Sequence, residues 1–403
     1  MNKLTNILNG GFFVEYPTIF LAIDNCFASK RWTSPNEWCS IIKESGINFI
    51  EASADNECDP LFTVPSYIND WLKEVKFSCE KNNIDVLNFY SGHGTYAMTG
   101  LANPDERIRN HIANNWIRPY IKMASELKAG VGFFCHAFPN VVLQNSDIYL
   151  NEVKKLENTL MEIRDFASLI SDKTISLEQM YSPHQYPWTI ETAIDFIQGT
   201  GIYITLDTGH QVGQRLFLKP TSEELNETLT PSGHDIWTGT DYSYDLVKKA
   251  RCGELNLKEA YKLIEEDINK NPHLFSRQED CSLYQWTKEI GCYCPIIHLQ
   301  QNNGLSSTHW SFTEEKNKIG IVEPQKLLES LIESYQNEEL PGMPPRCKEI
   351  TLTLELFFDT AEYPFYIRSQ LLESVEYWRK FIPEDGMRLN ELPCLKEYVK
   401  LVE

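Results

Sequence analysis

Eight short β-branched runs alternate with amphipathic stretches of helical period along nearly the whole of this 403-residue chain. The strand candidates are residues 18–23, 49–52, 86–89, 131–134, 175–178, 203–207, 296–299 and 350–356. The helical candidates are residues 36–44, 69–81, 108–127, 149–170, 190–197, 325–335 and 369–381. Ser34-Pro35, Asn103-Pro104 and Glu323-Pro324 each place a proline at a helix start, where its fixed φ suits the first turn. Strands joined through a helix lie parallel, because only a parallel pair needs so long a crossover. Eight such units predict an α/β fold, a (β/α)8 barrel spanning residues 1–403 as one domain. The competing architecture, an open doubly wound sheet, usually carries a glycine-rich phosphate turn after its first strand, and AIDNCFASKRW has no glycine.

One connection breaks the rhythm. Residues 213–291, after the sixth strand, far exceed what a strand-to-helix link needs and include a helical stretch of their own at 255–268. This mainly helical insert is expected to form a lid over the barrel mouth or an oligomerisation arm, with residues 382–403 as a C-terminal extension. A formal charge of −20 repels a phosphate backbone, so no nucleic-acid partner is expected. No apolar run is long enough to span a membrane, and the N-terminal stretch lacks the pattern of a signal peptide. The cysteines number 11, an odd count, and are irregularly spaced, as reduced packing residues are; Cys292 and Cys294 read as packing rather than as half of a zinc knuckle. A cytoplasmic location is the expectation.

The chemistry gathers at strand ends. Glu178 closes the fifth run (ISLE), Asp207 the sixth (YITLD), His298 the seventh (IIHL) and Glu355 the eighth (ITLTLE). In a barrel of this kind the C-terminal strand ends carry the active site. A carboxylate or imidazole buried there is costly unless paired or bound to a metal. Neighbouring strands lie about 5 Å apart, so the four side chains can converge on one ion. Three carboxylates and one imidazole suit a hard or borderline divalent cation: Mn²⁺ above all, with Mg²⁺, Co²⁺ or Zn²⁺ compatible. Taken singly, each of these residues is more often a satisfied core group.

Other residues join the same barrel end. His210 follows in D-T-G-H, where Gly209 lets the backbone turn so that His210 faces the ion or a substrate. His93 in NFYSGHG and His136 in GFFCHAF follow the third and fourth strands as pocket candidates, with Glu51 in FIEAS a further one. Gln300 opens a neutral hydrogen-bonding run (QQNN) suited to a polyol, and Tyr181, Tyr186 and Trp188 are candidates to stack on a sugar's carbon skeleton. Arg215 is the candidate for an anionic group on the substrate, or else an ordinary surface arginine.

The strand-end order Glu, Asp-x-x-His, His, Glu resembles the xylose isomerase-like TIM barrel superfamily, which holds ketose 3-epimerases, hydroxypyruvate isomerase-like proteins and the endonuclease IV family. The resemblance runs from the first strand to the eighth, outside the insert and the C-terminal tail. It implies that Glu178, Asp207, His298 and Glu355 hold one divalent metal, that His210 contacts substrate, and that Glu178 and Glu355 are the acid/base pair. The implied function is a sugar isomerase or epimerase of carbohydrate metabolism. A carboxylate removes a carbon-bound proton acidified by the metal-chelated carbonyl, giving a metal-stabilised enediolate. Return of the proton to the neighbouring carbon gives an isomerase; return to the opposite face of the same carbon gives an epimerase. The implied partner is a small sugar, in a homodimer or homotetramer.

Two rivals stand beside this reading. Endonuclease IV-like proteins are multi-zinc phosphodiesterases that recruit extra histidines, and His93, His136, His210 and His309 are available. That family's motif has an aspartate two residues before the last histidine, where this chain has Ser307. The other rival is a catalytically inactive barrel with a binding role.

Overall fold

The β-branched runs form the staves of a closed barrel. The computed structural model describes residues 14–53, 57–92 and 100–402. Its staves are β1 (Thr18–Asp24), β2 (Phe49–Ser53), β3 (Asp85–Ser91), β4 (Gly130–Phe133), β5 (Ile175–Glu178), β6 (Tyr203–Asp207), β7 (Ile296–Leu299) and β8 (Glu349–Leu354). Each pairs in parallel with the next, and β1 pairs with both β8 and β2, which closes the ring. This is a (β/α)8 barrel.

Side chains alternate along each stave, as the pleat requires. Ile350, Leu352 and Leu354 of β8 are fully buried among the core apolar residues, whereas Thr351, Thr353 and then Glu355 occupy the other face. The same alternation sets Ser176 and Glu178 on one face of β5, and Thr205 and Asp207 on one face of β6. Ser176 and Thr205 share a hydrogen bond of 2.7 Å, and Glu178 of β5 comes within 4.8 Å of Glu355 beyond β8, a stave that is not its neighbour, so this polar face is the barrel interior.

The ring helices are α1 (Pro35–Glu44), α2 (Pro65–Asn82), α3 (Arg118–Glu126), α4 (Ser146–Ile170), α5 (Ile190–Thr200), α6 (Leu283–Ile290), α7 (Pro324–Gln336) and α8 (Pro364–Arg379). Local signals start and stop them. Ser34 and Glu37 make a capping box on α1, and Thr189 and Thr192 make one on α5, which ends at left-handed Gly201. Caps of this kind stabilise a helix by about 1 kcal/mol.

Between β6 and α6 the chain carries three longer helices, Ser222–Thr228, Asp241–Arg251 and Leu257–Lys270. Helix α6 packs on α7 and α5 through Leu283, Trp286 and Ile290, so the outer ring resumes at Leu283, within the 213–291 stretch. After α8, a short strand β9 (Met387–Arg388) pairs antiparallel with the start of β1, and Leu389, Leu392 and Leu395 bury completely. Cys292 and Cys294 are buried, and every cysteine is a free thiol. Among the described residues no helix is long and apolar enough to cross a membrane.

A desolvated acid, Glu57, sits beside α2. Burial pushes the Glu57 carboxyl from its ordinary 4.5 up to about 8, although Trp71 donates an indole hydrogen bond to it. Between those values the folded chain keeps a proton that the unfolded chain has lost, so stability falls as pH rises through that window, by about 1.4 kcal/mol per unit. Glu57→Gln stays neutral and keeps an acceptor for Trp71. Its melting temperature is expected to match wild type at pH 4.5 and exceed it at pH 8.5. A difference that does not change with pH would refute this origin.

Candidate metal centre

The polar interior face ends in a cluster of ionisable groups. Ligand atoms of Glu178, Asp207, His298 and Glu355, all buried, lie within 4.8 Å of one another. Asp207 and His298 are direct partners across β6 and β7, and Glu355 enters just past β8, its N–H donating to Leu299 O. His298 Nδ1 stands 3.2 Å from Glu178 Oε1 and 3.5 Å from Glu355 Oε1, while Nε2 stands 3.0 Å from Glu51 Oε2.

The electrostatics are those of opposed charges out of water. Burial disfavours charge on His298, but Glu355 and Glu51, with hydrogen bonds to Glu178 and Glu51, outweigh it and hold the imidazole well above its ordinary range. Burial likewise raises Glu178, yet the His298 hydrogen bond and the nearby His210 and His298 leave it below the usual value. Asp207 follows the same logic: burial raises it, and His210, His309, His298 and the Gln300 amide bring it down to about 2. Such a knot of carboxylates around one imidazole is the donor set of a divalent cation bound through oxygen and nitrogen. The four residues fit that ion.

Asp207 is the most heavily braced. Its Oδ1 accepts from Gly209 N at 2.6 Å, His210 N at 3.1 Å and Gln300 Nε2 at 2.8 Å, and Oδ2 accepts from Gln300 Nε2 at 3.0 Å. The Gln300 carbonyl in turn accepts from His309 N at 2.6 Å. The chain bends at Gly209 directly after β6, without a left-handed φ. The glycine is required by close approach, since a Cβ there would lie 2.5 Å from Gln300 Cδ. Gly209→Ala is therefore expected to push Gln300 off Asp207, costing roughly 1–3 kcal/mol and weakening Mn²⁺ binding. A melt and a titration indistinguishable from wild type would show that Gln300 moves freely.

A cavity of about 320 Å³ opens onto the cluster. Glu178, Glu355, His210 and His309 give its polar wall, and Tyr90, Phe134, Tyr181 and Phe357 its aromatic one. His210 Nδ1 lies 2.6 Å from Gln179 O. A carbonyl only accepts, so Nδ1 carries the hydrogen and a neutral His210 presents an Nε2 lone pair on the side of Asp207, 4.0 Å from Oδ1. His309 Nδ1 stands 3.2 Å from Glu355 Oε2, with its ring stacked on Phe357 at 4.2 Å. Asp207, His210 and His309 form a second group of ligand atoms within 4.8 Å.

Other candidates lie elsewhere. His136 is buried between Trp116 and Phe134, one layer behind the lining, with a left-handed φ of 65°. Gln300 does not line the cavity, because its amide is committed to Asp207. Trp188 is buried against Phe217 beside a separate cavity of about 790 Å³, between α5 and residues 268–280. Tyr186 is buried, with its hydroxyl donating to Glu157. Arg215 donates to Gly304 O and is not among the lining residues. His93 lies outside the described residues. Tyr90, which sequence reasoning missed, donates its hydroxyl to Glu178 Oε2 and meets His298 edge-on at 5.1 Å. The signal for it was the period of two along β3, which puts it on the interior face with Asn88.

Residues 39–235 match the family model described as xylose isomerase-like TIM barrel. A Rhodospirillum rubrum protein named for xylose isomerase superposes with a TM-score of 0.65 at 14% identity, covering 90% of this chain and 99% of that one. D-psicose 3-epimerase from Clostridium cellulolyticum, crystallised with D-tagatose, gives 0.55 at 12% identity over 90% and 98%. A D-tagatose 3-epimerase-like protein gives 0.53 at 14% identity over 95% and 100%. No curated protein matches the sequence. The closed parallel barrel agrees with that match, and residues 39–235 are similar to the xylose isomerase-like TIM barrel family.

Proposed function

We propose that this chain is a divalent-metal-dependent sugar isomerase or epimerase. The observation that carries the reading is the buried convergence of Glu178, Asp207, His298 and Glu355 at one wall of a sugar-sized cavity. A bound ion supplies Lewis acidity to a substrate carbonyl and its neighbouring hydroxyl. Glu178 and Glu355 move the proton; they come from staves on either side of β6 and β7, and both face the cavity. Tyr90 donates to the second oxygen of Glu178, which fixes its aim, and His309 Nδ1 stands 3.2 Å from the second oxygen of Glu355. The names of two neighbours, a D-psicose 3-epimerase and a D-tagatose 3-epimerase-like protein, support a ketose as the substrate class.

Among the described residues no lysine or arginine lines the cavity, which favours a neutral sugar over a sugar phosphate. We read residues 213–282 as a cap on one side of the mouth, since Asp241 meets Asn140 and Gln144, and His273 reaches Leu143 O, in the connection after β4. A cytoplasmic homodimer or homotetramer completes the proposal. Incubating the purified protein and Mn²⁺ with tetroses, pentoses and hexoses in deuterated solvent tests it. Deuterium entering carbon next to a carbonyl is expected, and no exchange from any sugar or sugar phosphate would end the reading.

The Asp207, His210 and His309 group supports a second reading, a multi-ion phosphodiesterase. There Ser307 Oγ stands 3.5 Å from His309 Nε2, a hydroxyl where an anionic ligand would serve better. Metal analysis separates the two: one ion per chain for the isomerase, three zinc ions for the phosphodiesterase.

A further inference from the structure

An imidazole offers one lone pair and one N–H when neutral, yet His298 faces carboxylates with both ring nitrogens. On the Nδ1 side stand Glu178, Glu355 and the ligand group that opens on the cavity. On the Nε2 side stands Glu51 alone, which belongs neither to that group nor to the cavity lining. We propose that Glu51 is the positioning residue of the metal centre: it takes the Nε2 hydrogen of His298 and so directs the Nδ1 lone pair at the ion. This rests on reading Glu178, Asp207, His298 and Glu355 as metal ligands.

Three features hold Glu51 to that task. The pairing of β2 with β3 shifts register between Ile50 and Glu51, so Glu51 lies opposite Asn88 instead of Leu87. Bulges of this kind re-aim side chains beside active sites. Asn88 Nδ2 then donates to Glu51 Oε1 at 2.6 Å, leaving Oε2 for His298. The Asn88 amide fits only because β4 reads Gly-Val-Gly. A Cβ at Gly130 would stand 2.8 Å from Asn88 Oδ1, and one at Gly132 would stand 3.1 Å from Nδ2. The line of support runs from two glycines through an amide and a carboxylate to one imidazole. Glu51 is 1% exposed, where a carboxylate without such partners would be costly.

The test is Mn²⁺ affinity by calorimetry for wild type, Glu51→Gln and Glu51→Ala, beside melting in EDTA. Removing an acceptor behind a metal-bound histidine weakens metal binding by about 10–100-fold. That loss is expected for Glu51→Ala, with a smaller loss for Glu51→Gln, whose carbonyl accepts from Nε2 once Asn88 turns its own amide oxygen toward the new NH2. A purely structural Glu51 would lower the melt in EDTA and leave affinity unchanged, which would overturn the proposal; if the alanine variant fails to fold, the glutamine variant decides in the same way. Nitrogen-15 spectra of the Zn²⁺-loaded protein give a second readout. His298 with metal on Nδ1 and hydrogen on Nε2 supports the proposal, and metal on Nε2 overturns it. A wild-type chain that takes up no divalent ion overturns it as well. Neither measurement involves turnover, so a wild type that binds Mn²⁺ but exchanges no sugar proton removes the isomerase reading alone.

Discussion

With Mn²⁺ saturating, Glu178→Gln and Glu355→Gln are each expected to lower sugar conversion by about 10²–10⁴-fold, the usual loss when a positioned acid or base is removed. Both side chains sit at the cavity wall with one oxygen toward His298 Nδ1, at 3.2 and 3.5 Å; the other oxygen of Glu178 accepts from Tyr90, and that of Glu355 lies 3.2 Å from His309 Nδ1. Glutamine keeps the shape and a carbonyl ligand, so metal binding weakens without vanishing, while the proton acceptor is gone. The two variants should also fail differently. In an epimerase each carboxylate serves one face of the carbon, so each variant still exchanges the proton of one epimer with solvent while converting neither. In an isomerase the exchange pattern does not sort by epimer. Deuterium exchange followed for each epimer separately makes the comparison. Full conversion by either variant with metal bound would remove that glutamate from the proton transfer.

That such a test can be framed from sequence has a physical reason. A barrel stave repeats every two residues and ends where its chemistry begins, so Glu178, Asp207 and His298 could be placed by counting along ISLE, YITLD and IIHL. Glu355 could be placed too, although β8 ends at Leu354 and the residue lies one step beyond. Helices with proline or serine starts were legible for the same local reasons. Helix α6 was not, because its eight residues at Leu283–Ile290 follow several other helical stretches and its ring position is set by packing on α7. Loop residues were the least legible. Gln300 looked like a polyol contact and is instead consumed by Asp207 and the His309 backbone; Trp188 looked like a stacking platform and is instead tied down beside Gln214 and Phe217. Where a loop side chain points depends on partners distant in sequence, and no local period announces them.

Asp207→Ala is expected to abolish Mn²⁺ binding and to lower stability even in EDTA, for separable reasons. Binding is expected to fail because Asp207 sits in both groups of converging ligand atoms. Stability falls because the carboxylate is the acceptor for Gly209 N, His210 N and the Gln300 amide, all buried, and each stranded donor costs about 1–3 kcal/mol. Losing one negative charge beside Glu178 offsets part of that cost, since Asp207 raises Glu178 through repulsion. Asn at this position separates the effects less well than its size suggests. Its amide would set a donor against Gln300 Nε2, and Gln300 cannot flip without abandoning the His309 N–H at 2.6 Å. Wild type at a hundredfold excess of Mn²⁺ over its Kd gains about 2.7 kcal/mol from binding alone. A melt rising with Mn²⁺ in wild type, and neither rising nor starting as high in Asp207→Ala, is the predicted pair of curves. An alanine variant that melts as high as wild type in EDTA would mean that the bracing around Asp207 contributes nothing to the fold, and one that still takes up Mn²⁺ would move the ion away from β6.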